Sequence, residues 1–156
     1  MYNDERKARM FIAGLLSALL TILVISLLFA SPAVADSPMP KSLYRGQYWN
    51  PALAECREAI MGRESNFNYR AANLTSSARG AYQLLDRSWR ESLVHMMRKE
   101  TRKDYPERLE RLEQLNDTPI HRWPRWFQDH AFYRVANGTP NGLKHWSPRP
   151  SACWSL

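Results

Sequence analysis

One glutamate and the residues that follow it carry the chemistry that this sequence suggests. Glu64 ends an apolar helical stretch, and Ser65 follows it directly. A loop rich in Asn, Ser, Ala and Gly then leads to Tyr82 and Gln83, which supply an aromatic ring and an amide. A carboxyl group held against such a loop can act as a general acid on the bridging oxygen of a sugar polymer, while the polar groups hold the sugar.

The helix that carries Glu64 is predicted from its cap and its apolar spacing. Asn50 suits the N-cap position, and Pro51 suits the first helical position. One stripe of this helix contains three apolar residues and the glutamate, at spacings of 3, 4 and 4: Leu53, Cys56, Ile60 and Glu64. A carboxyl group at the end of a buried stripe loses hydration, which favours its neutral form, and a general acid needs that form.

The segment from Glu64 to Trp89 resembles the catalytic signature of soluble lytic transglycosylases and related lysozyme-like enzymes that act on the cell wall. The matching positions are Glu64, Ser65, Ala71, Asn73, Ser77, Ala78, Gly80, Ala81, Tyr82, Gln83 and Ser88. Tyr82 replaces a methionine that is common in the signature, and the Tyr-Asn-Ala-Gly tetrapeptide of many members is absent. The C-terminal segment is similar to the endings of small actinobacterial wall-lytic domains, including relatives of resuscitation-promoting factors, at Gly138, His145, Trp146 and Cys153.

The resemblance implies that Glu64 is the catalytic residue of a peptidoglycan lytic transglycosylase. It would protonate the β-1,4 glycosidic oxygen between N-acetylmuramic acid and N-acetylglucosamine. As a carboxylate it would then deprotonate the C6 hydroxyl of the same muramic ring, which closes a 1,6-anhydro bond in place of attack by water. No obvious acidic partner stands within the motif, since Asp86 also suits a helix cap and Asp129 lies in the middle of a predicted helix.

Three other functions fit the same residues. A lysozyme-type muramidase would hydrolyse the same bond, normally with two carboxylates. A non-catalytic wall-binding protein could use the same scaffold, and a cationic membrane-active protein would act through its charge. Replacing Glu64 by Gln should abolish the activity of a transglycosylase or a muramidase, but not that of a wall-binding or membrane-active protein. The mass of the product then distinguishes the transglycosylase from the muramidase.

The same resemblance suggests substrate-binding roles for five further residues: Ser65, Asn73, Tyr82, Gln83 and Tyr133. Ser65 would orient the catalytic carboxyl group by a hydrogen bond either to that carboxyl group or to the adjacent backbone, or else it is only a polar residue at the end of the helix. Gln83 would bind the sugar near the scissile bond, or else close a turn. Tyr82 would stack on a sugar face or pack beneath the loop, and Tyr133 falls where such enzymes often place a late tyrosine of the cleft.

The N-terminus predicts export. Residues 10–30 carry no charge, which is long for the core of a signal peptide and enough to span a bilayer. Small residues at Ala33 and Ala35 offer a cleavage site, so residues 1–35 are either a signal peptide or a membrane anchor. We therefore expect a secreted or cell-envelope protein, with residues 36–48 as linker and residues 49–156 as the lysozyme-like domain.

Cys56 and Cys153 both lie in the part predicted to be exported. An even pair in an oxidising compartment predicts a disulfide, with two free buried thiols as the alternative. Two cysteines with no histidine pair at ligand spacing do not make a zinc site. We therefore expect neither a metal nor another cofactor.

The formal net charge of +7 favours an anionic partner. Peptidoglycan glycan strands suit this charge and the Glu64 motif together. No basic cluster interleaved with aromatic residues resembles a nucleic-acid groove, so a nucleic-acid partner is not expected. The membrane is a partner only if residues 10–30 stay in place, and the domain is expected to be a monomer.

The remaining pattern predicts a mainly α domain, of the α+β type that a lysozyme-like resemblance implies. It has about five helices and a small loop or β-hairpin that forms one side of a glycan cleft. A capping box that opens at Ser88 predicts a helix to about Glu100. Two further helices are predicted, one from Tyr105 and one from Trp123 to about Ala136. The rest of the C-terminal tail is expected to be irregular.

Overall fold

The computed structural model describes residues 40–156 of the chain. The predicted leader or anchor, including the apolar segment 10–30, and the start of the predicted linker lie outside these residues. Within the described part, no helix combines the length and the apolar character needed to cross a bilayer. The same part is mainly helical, with four α-helices and one two-stranded sheet, which confirms the predicted fold class.

The first helix begins where the sequence predicts it. Asn50 caps a 3₁₀ turn, Pro51–Leu53, by accepting a 3.0 Å hydrogen bond from the Ala52 amide through its side chain. The turn continues directly into helix α1, Ala54–Ser65. Asn66 ends the helix in a left-handed conformation, with φ of 51°. Glu64 therefore lies in the last turn of α1, as the motif requires.

The segment after α1 is a loop that ends in a small hairpin. Strand β1, Ala78–Arg79, pairs antiparallel with strand β2, Leu84–Leu85. The turn between them, residues 80–83, starts at Gly80 with φ of 78° and ends at Gln83 with φ of 48°. The small hairpin that was predicted here is confirmed.

Three further helices follow, and their boundaries differ partly from prediction. Helix α2, Asp86–Asp104, follows β2 directly, so Leu85 rather than Ser88 is its N-cap and the predicted start is three residues late. Helix α3, Leu109–Glu113, is short and follows a 3₁₀ turn. Helix α4, Arg125–Ala136, begins after Pro124 as expected. The C-terminal tail contains two 3₁₀ helices, Gly142–Trp146 and Ser151–Cys153, where an irregular chain was predicted.

Helix α4 is the centre of the domain. Nearly all its residues are buried, on every side of the helix, from Trp126 to Val135. The predicted Cys56–Cys153 disulfide is present and joins the tail to α1, with 4.7 Å between the two Cα atoms. Residues 40–48, predicted as linker, also belong to the domain, because Tyr44 is completely buried and packs on α4.

Candidate functional site

Glu64 is partly exposed at the C-terminal end of α1. Its side chain retains 24% of its accessible surface, so its carboxylate is within reach of a ligand. The Nε and Nη2 atoms of Arg63 donate to the Glu64 Oε1 at 2.9 and 2.6 Å. The apolar stripe that precedes Glu64 is buried as predicted, at Leu53, Cys56 and Ile60. The carboxylate thus stands where a buried helix face meets solvent.

Arg63 also fixes the C-terminal tail beside this carboxylate. Its Nη2 donates to the Trp146 carbonyl at 3.0 Å, and its Nη1 donates to the Pro148 carbonyl. His145 packs on Trp89 of α2, with 4.4 Å between ring centroids. Burial lowers the pKa of His145, and the nearby charge of Glu64 offsets part of that effect. The tail and the first turn of α2 therefore border the Glu64 site, a grouping that the sequence did not predict.

Ser65 connects the end of α1 to the hairpin turn. Its Oγ lies 2.8 Å from the Ala81 carbonyl and 3.1 Å from the Met61 carbonyl, so the hydroxyl donates to backbone oxygens. Ser65 therefore holds the turn against the helix end rather than touching the carboxylate of Glu64. Its expected role in orienting Glu64 stays a prediction.

The hairpin turn is held from the other side by Gln128 of α4. The Gln128 Oε1 accepts from the Ala81 amide at 2.9 Å, and its Nε2 donates to the carbonyls of Tyr69 and Trp123, each at 3.0 Å. Gly80 approaches this amide so closely that a Cβ atom there would lie 2.4 Å from Oε1. The turn is therefore held from two sides, by Ser65 of α1 and by Gln128, and Gln128 is not part of the motif.

Gln83 ends the turn with its side chain partly exposed. Its Nε2 donates to the Gly80 carbonyl at 2.9 Å, which is the turn hydrogen bond considered as the alternative to sugar binding. Its Oε1 has no partner among residues 40–156 and stays available to a donor. Asn73 is exposed further along the loop, where its Oδ1 accepts from the amides of Thr75 at 2.9 Å and Ser76 at 3.2 Å.

Two tyrosines expected to bind substrate are buried instead. Tyr82 is 1% exposed and stacks on Phe132 at 4.7 Å, so its ring packs beneath the loop and cannot lie on a sugar. Tyr133 is 2% exposed and lines a cavity of about 250 Å³ with Ala54 and Arg57. That cavity lies at the N-terminal half of α1, whereas Glu64 lies at its C-terminal end. Neither substrate-binding role fits these positions.

The hydroxyl of Tyr82 belongs to a polar network around the Asp129 carboxylate. The sequence did not predict this network. The Asp129 Oδ1 accepts from Arg57 at 3.0 Å, from Tyr69 at 2.7 Å and from Tyr82 at 2.6 Å. Its Oδ2 accepts from the Leu43 amide at 2.7 Å. Burial and the charge of Asp129 raise the pKa of Tyr82 well above its usual value. The available signal was the run of three polar residues, 128–130, in a helix whose other buried residues are apolar or aromatic.

A second buried pair joins α2 to α4. The Glu100 Oε2 lies 2.9 Å from the His130 Nε2, and the Glu100 Oε1 accepts from the Tyr44 hydroxyl and the Gln47 amide, each at 2.7 Å. Burial alone would raise the pKa of Glu100, but the bonds from His130 and Tyr44 lower it. Burial lowers the pKa of His130 despite its carboxylate partner. A charged imidazole would leave a proton on Nδ1 with no acceptor among the described residues.

The two acidic residues considered as catalytic partners of Glu64 bind other groups. Asp86 accepts from the Ile120 amide at 2.8 Å, and Asp129 is enclosed in its network. Among residues 40–156, no three side chains of His, Cys, Asp or Glu are placed to hold a metal ion. Compared with protein-family models, with curated proteins and with solved structures, the chain gives no match.

Proposed function

We propose that this chain is an exported peptidoglycan lytic transglycosylase in which Glu64 cleaves the β-1,4 bond between N-acetylmuramic acid and N-acetylglucosamine. One observation carries the proposal. The 2.8 Å contact between the Ser65 hydroxyl and the Ala81 carbonyl holds the residue after Glu64 against the hairpin turn that ends at Gln83. In this proposal the Gln83 amide binds the glycan and the Glu64 carboxyl group protonates it, so both act on the same bound strand.

The reaction needs Glu64 in two protonation states. As an acid it donates a proton to the glycosidic oxygen, which leaves with N-acetylglucosamine as the C1–O bond of the muramic ring breaks. As a carboxylate it then removes the proton of the C6 hydroxyl, whose oxygen forms the new bond to C1. The carboxyl group ends the cycle protonated, and no water is consumed.

Arg63 stabilises the carboxylate state of Glu64 and opposes the protonated state. Its guanidinium pairs with Glu64 when that residue is a carboxylate, and the pairing has to give way when Glu64 carries a proton. The carbonyls of Trp146 and Pro148 remain as acceptors for Arg63 in that state, so its charge keeps hydrogen-bond partners throughout. The cost of releasing Glu64 is therefore limited.

The occupied carboxylates favour this reaction over hydrolysis. A muramidase normally needs a second carboxylate to attack the sugar or activate water. Asp86 and Asp129, the candidates that the sequence offered, are bound to the Ile120 amide and to Arg57. A single-carboxylate mechanism needs no such partner.

Mass spectrometry of the muropeptides released from purified sacculi tests the proposal. The wild type should release products with 1,6-anhydro ends, which are lighter by one water than the reducing ends that a hydrolase leaves. Glu64→Gln should lower the rate roughly 10²–10⁴-fold, because proton transfer is lost. Glu55→Gln, an exposed glutamate in the first turn of the same helix, is the matched control and should leave the rate unchanged. Equal digestion by Glu64→Gln and wild type would exclude both enzymes.

Export is part of the same proposal. The Cys56–Cys153 disulfide suits an oxidising compartment, where such bonds persist. Fractionation of the producing cells, with N-terminal sequencing of the mature chain, should find the protein outside the cytoplasm. A chain that starts near Asp36 would indicate cleavage, and one that retains residues 10–30 would indicate an anchor.

A further inference from the structure

Three arginines surround His121 next to the hairpin. Arg79 belongs to β1, Arg70 lies in the loop before it, and Arg122 follows His121 in the chain. The Nη1 of Arg70 reaches the His121 carbonyl at 3.4 Å. Burial lowers the pKa of His121, and the charges of all three arginines lower it further. We refer to Arg70, Arg79 and Arg122 as the arginine cluster.

The positive charge of the arginine cluster is not neutralised within the described part of the chain. The two stretches that contain the three arginines, residues 66–85 and 118–128, have no Asp or Glu, and Asp86 and Asp117 border them. Asp86 is close enough to affect His121, but its oxygens already serve the Ile120 amide at 2.8 Å and Arg90 at 3.9 Å. Like charges gathered in this way repel one another and destabilise the fold unless an anion joins them.

The cluster also presents donors in a fixed position. The Nη1 of Arg79 donates to the carbonyls of Asn73, Ser76 and Ala78 at 2.7, 2.9 and 2.8 Å. These bonds hold the guanidinium still, while its Nε and Nη2 have no partner among residues 40–156. Arg70 and Arg122 are exposed beside it. A guanidinium with two free N–H groups matches the paired oxygens of a carboxylate or a phosphate.

A buried imidazole atom supports the same conclusion. The Nδ1 of His121 is shielded from solvent and has no hydrogen-bond partner in the described part of the chain. Buried polar atoms are normally paired, so this ring nitrogen has the capacity for a further hydrogen bond. An oxyanion bound by the arginines would supply an acceptor there and would also favour protonation of the ring.

We propose that the arginine cluster binds the oxyanion groups carried by the wall glycan, either stem-peptide carboxylates or phosphodiesters of an attached polymer. The identification of the bound anion as part of the wall glycan rests on the proposed function, whereas the binding of an anion to the arginine cluster does not. Arg79 directly precedes Gly80, so the bound anion would lie next to the turn that ends at Gln83. The cluster would then retain charged strands beside the Glu64 site.

Binding of the full-length chain to purified sacculi tests this proposal, with Glu64→Gln present in every protein so that no glycan is cleaved. Arg70→Gln together with Arg122→Gln should weaken binding about tenfold at low salt, because charge-assisted hydrogen bonds are lost. Arg79 is left unchanged because its backbone contacts hold the hairpin. The matched control, Arg102→Gln with Arg111→Gln, removes the same charge from exposed positions in α2 and α3 and should change binding less than twofold.

The salt dependence and the composition of the sacculi complete the test. The difference between the two double variants should disappear near 1 M salt, where exposed charges are screened. Acid treatment removes phosphodiester polymers and an amidase removes stem peptides, so the treatment that abolishes the difference identifies the anion. Equal weakening by both double variants, or no weakening by the first, would overturn the proposal. If the muropeptide assay shows no cleavage that depends on Glu64, the result of the binding assay is unchanged. The two proposals are therefore tested separately.

Discussion

The buried ion pair between Arg57 and Asp129 is the most sensitive point of the fold outside the apolar core. The two side chains retain 3% and 0% of their accessible surface, with 3.0 Å between the Arg57 Nη2 and the Asp129 Oδ1. Burial alone would lower the pKa of Arg57, but Tyr82 and Asp129 reverse the effect and raise it. The guanidinium therefore stays charged, and a change of Asp129 to Asn would leave that charge buried without its counter-ion.

The expected loss is large because nothing nearby can replace the carboxylate. Removing one partner of a buried ion pair costs about 3–5 kcal/mol. For a domain of this size, that corresponds to a fall in Tm of about 10–20 °C. Tyr69→Phe is the control, since it removes a hydroxyl that donates to Asp129 and accepts from Arg57 but leaves the two charges paired, and it should cost less, about 1.5–3 kcal/mol.

Urea unfolding of the full-length chain, followed by tryptophan fluorescence, measures these differences. A double-mutant cycle that combines Asp129→Asn with Arg57→Met separates the charge pair from its other contacts. If the buried charge causes the loss, the double variant should be more stable than the sum of the single losses predicts. Additive losses, or a loss for Asp129→Asn no larger than that of Tyr69→Phe, would refute the reasoning.

Three further predictions concern the framework of the site. Gly80→Ala should cost about 2–3 kcal/mol and slow cleavage, because the new Cβ would meet the Gln128 Oε1 in a left-handed turn; urea unfolding and the muropeptide assay measure both effects. Burial lowers the pKa of His130 from 6.5, so the folded chain binds fewer protons below that pH than the unfolded chain does. The free energy of unfolding should therefore fall as the pH drops below 6.5, and less steeply in His130→Gln; an equal slope in both would contradict this. Cys56→Ser with Cys153→Ser should lower stability by about 4–5 kcal/mol, and reductant should then have no effect on Tm.

The sequence predicted those elements that depend on local signals. The cap at Asn50, the buried stripe before Glu64 and the turn that starts at Gly80 each follow from residue type and spacing over a few positions. The start of α2 was predicted three residues late because a good local capping box at Ser88 competes with β2, which runs directly into the helix at Asp86. The direct continuation of β2 into the helix outweighed the capping box at Ser88.

The environment of the site could not be predicted, because it depends on contacts between distant residues. Arg63 contacts the Trp146 carbonyl 83 residues away, and Asp129 contacts Leu43 86 residues away. No periodicity reports such pairings. The burial of Tyr82 was equally open from sequence, since a tyrosine in a loop can face solvent or the core, and here its hydroxyl joins Asp129.

The three consecutive polar residues of α4 explain how a loop-based site can be rigid. Successive helix positions point about 100° apart, so residues 128–130 face three different neighbours. Gln128 holds the hairpin turn, Asp129 holds α1 and the segment around Leu43, and His130 holds α2. Each segment would leave buried polar groups unpaired if it shifted. The position of Glu64 relative to the turn is therefore set both by Ser65 and by a helix that contributes no residue to the motif, and substitutions in that helix should disturb the site as strongly as substitutions in the loop itself.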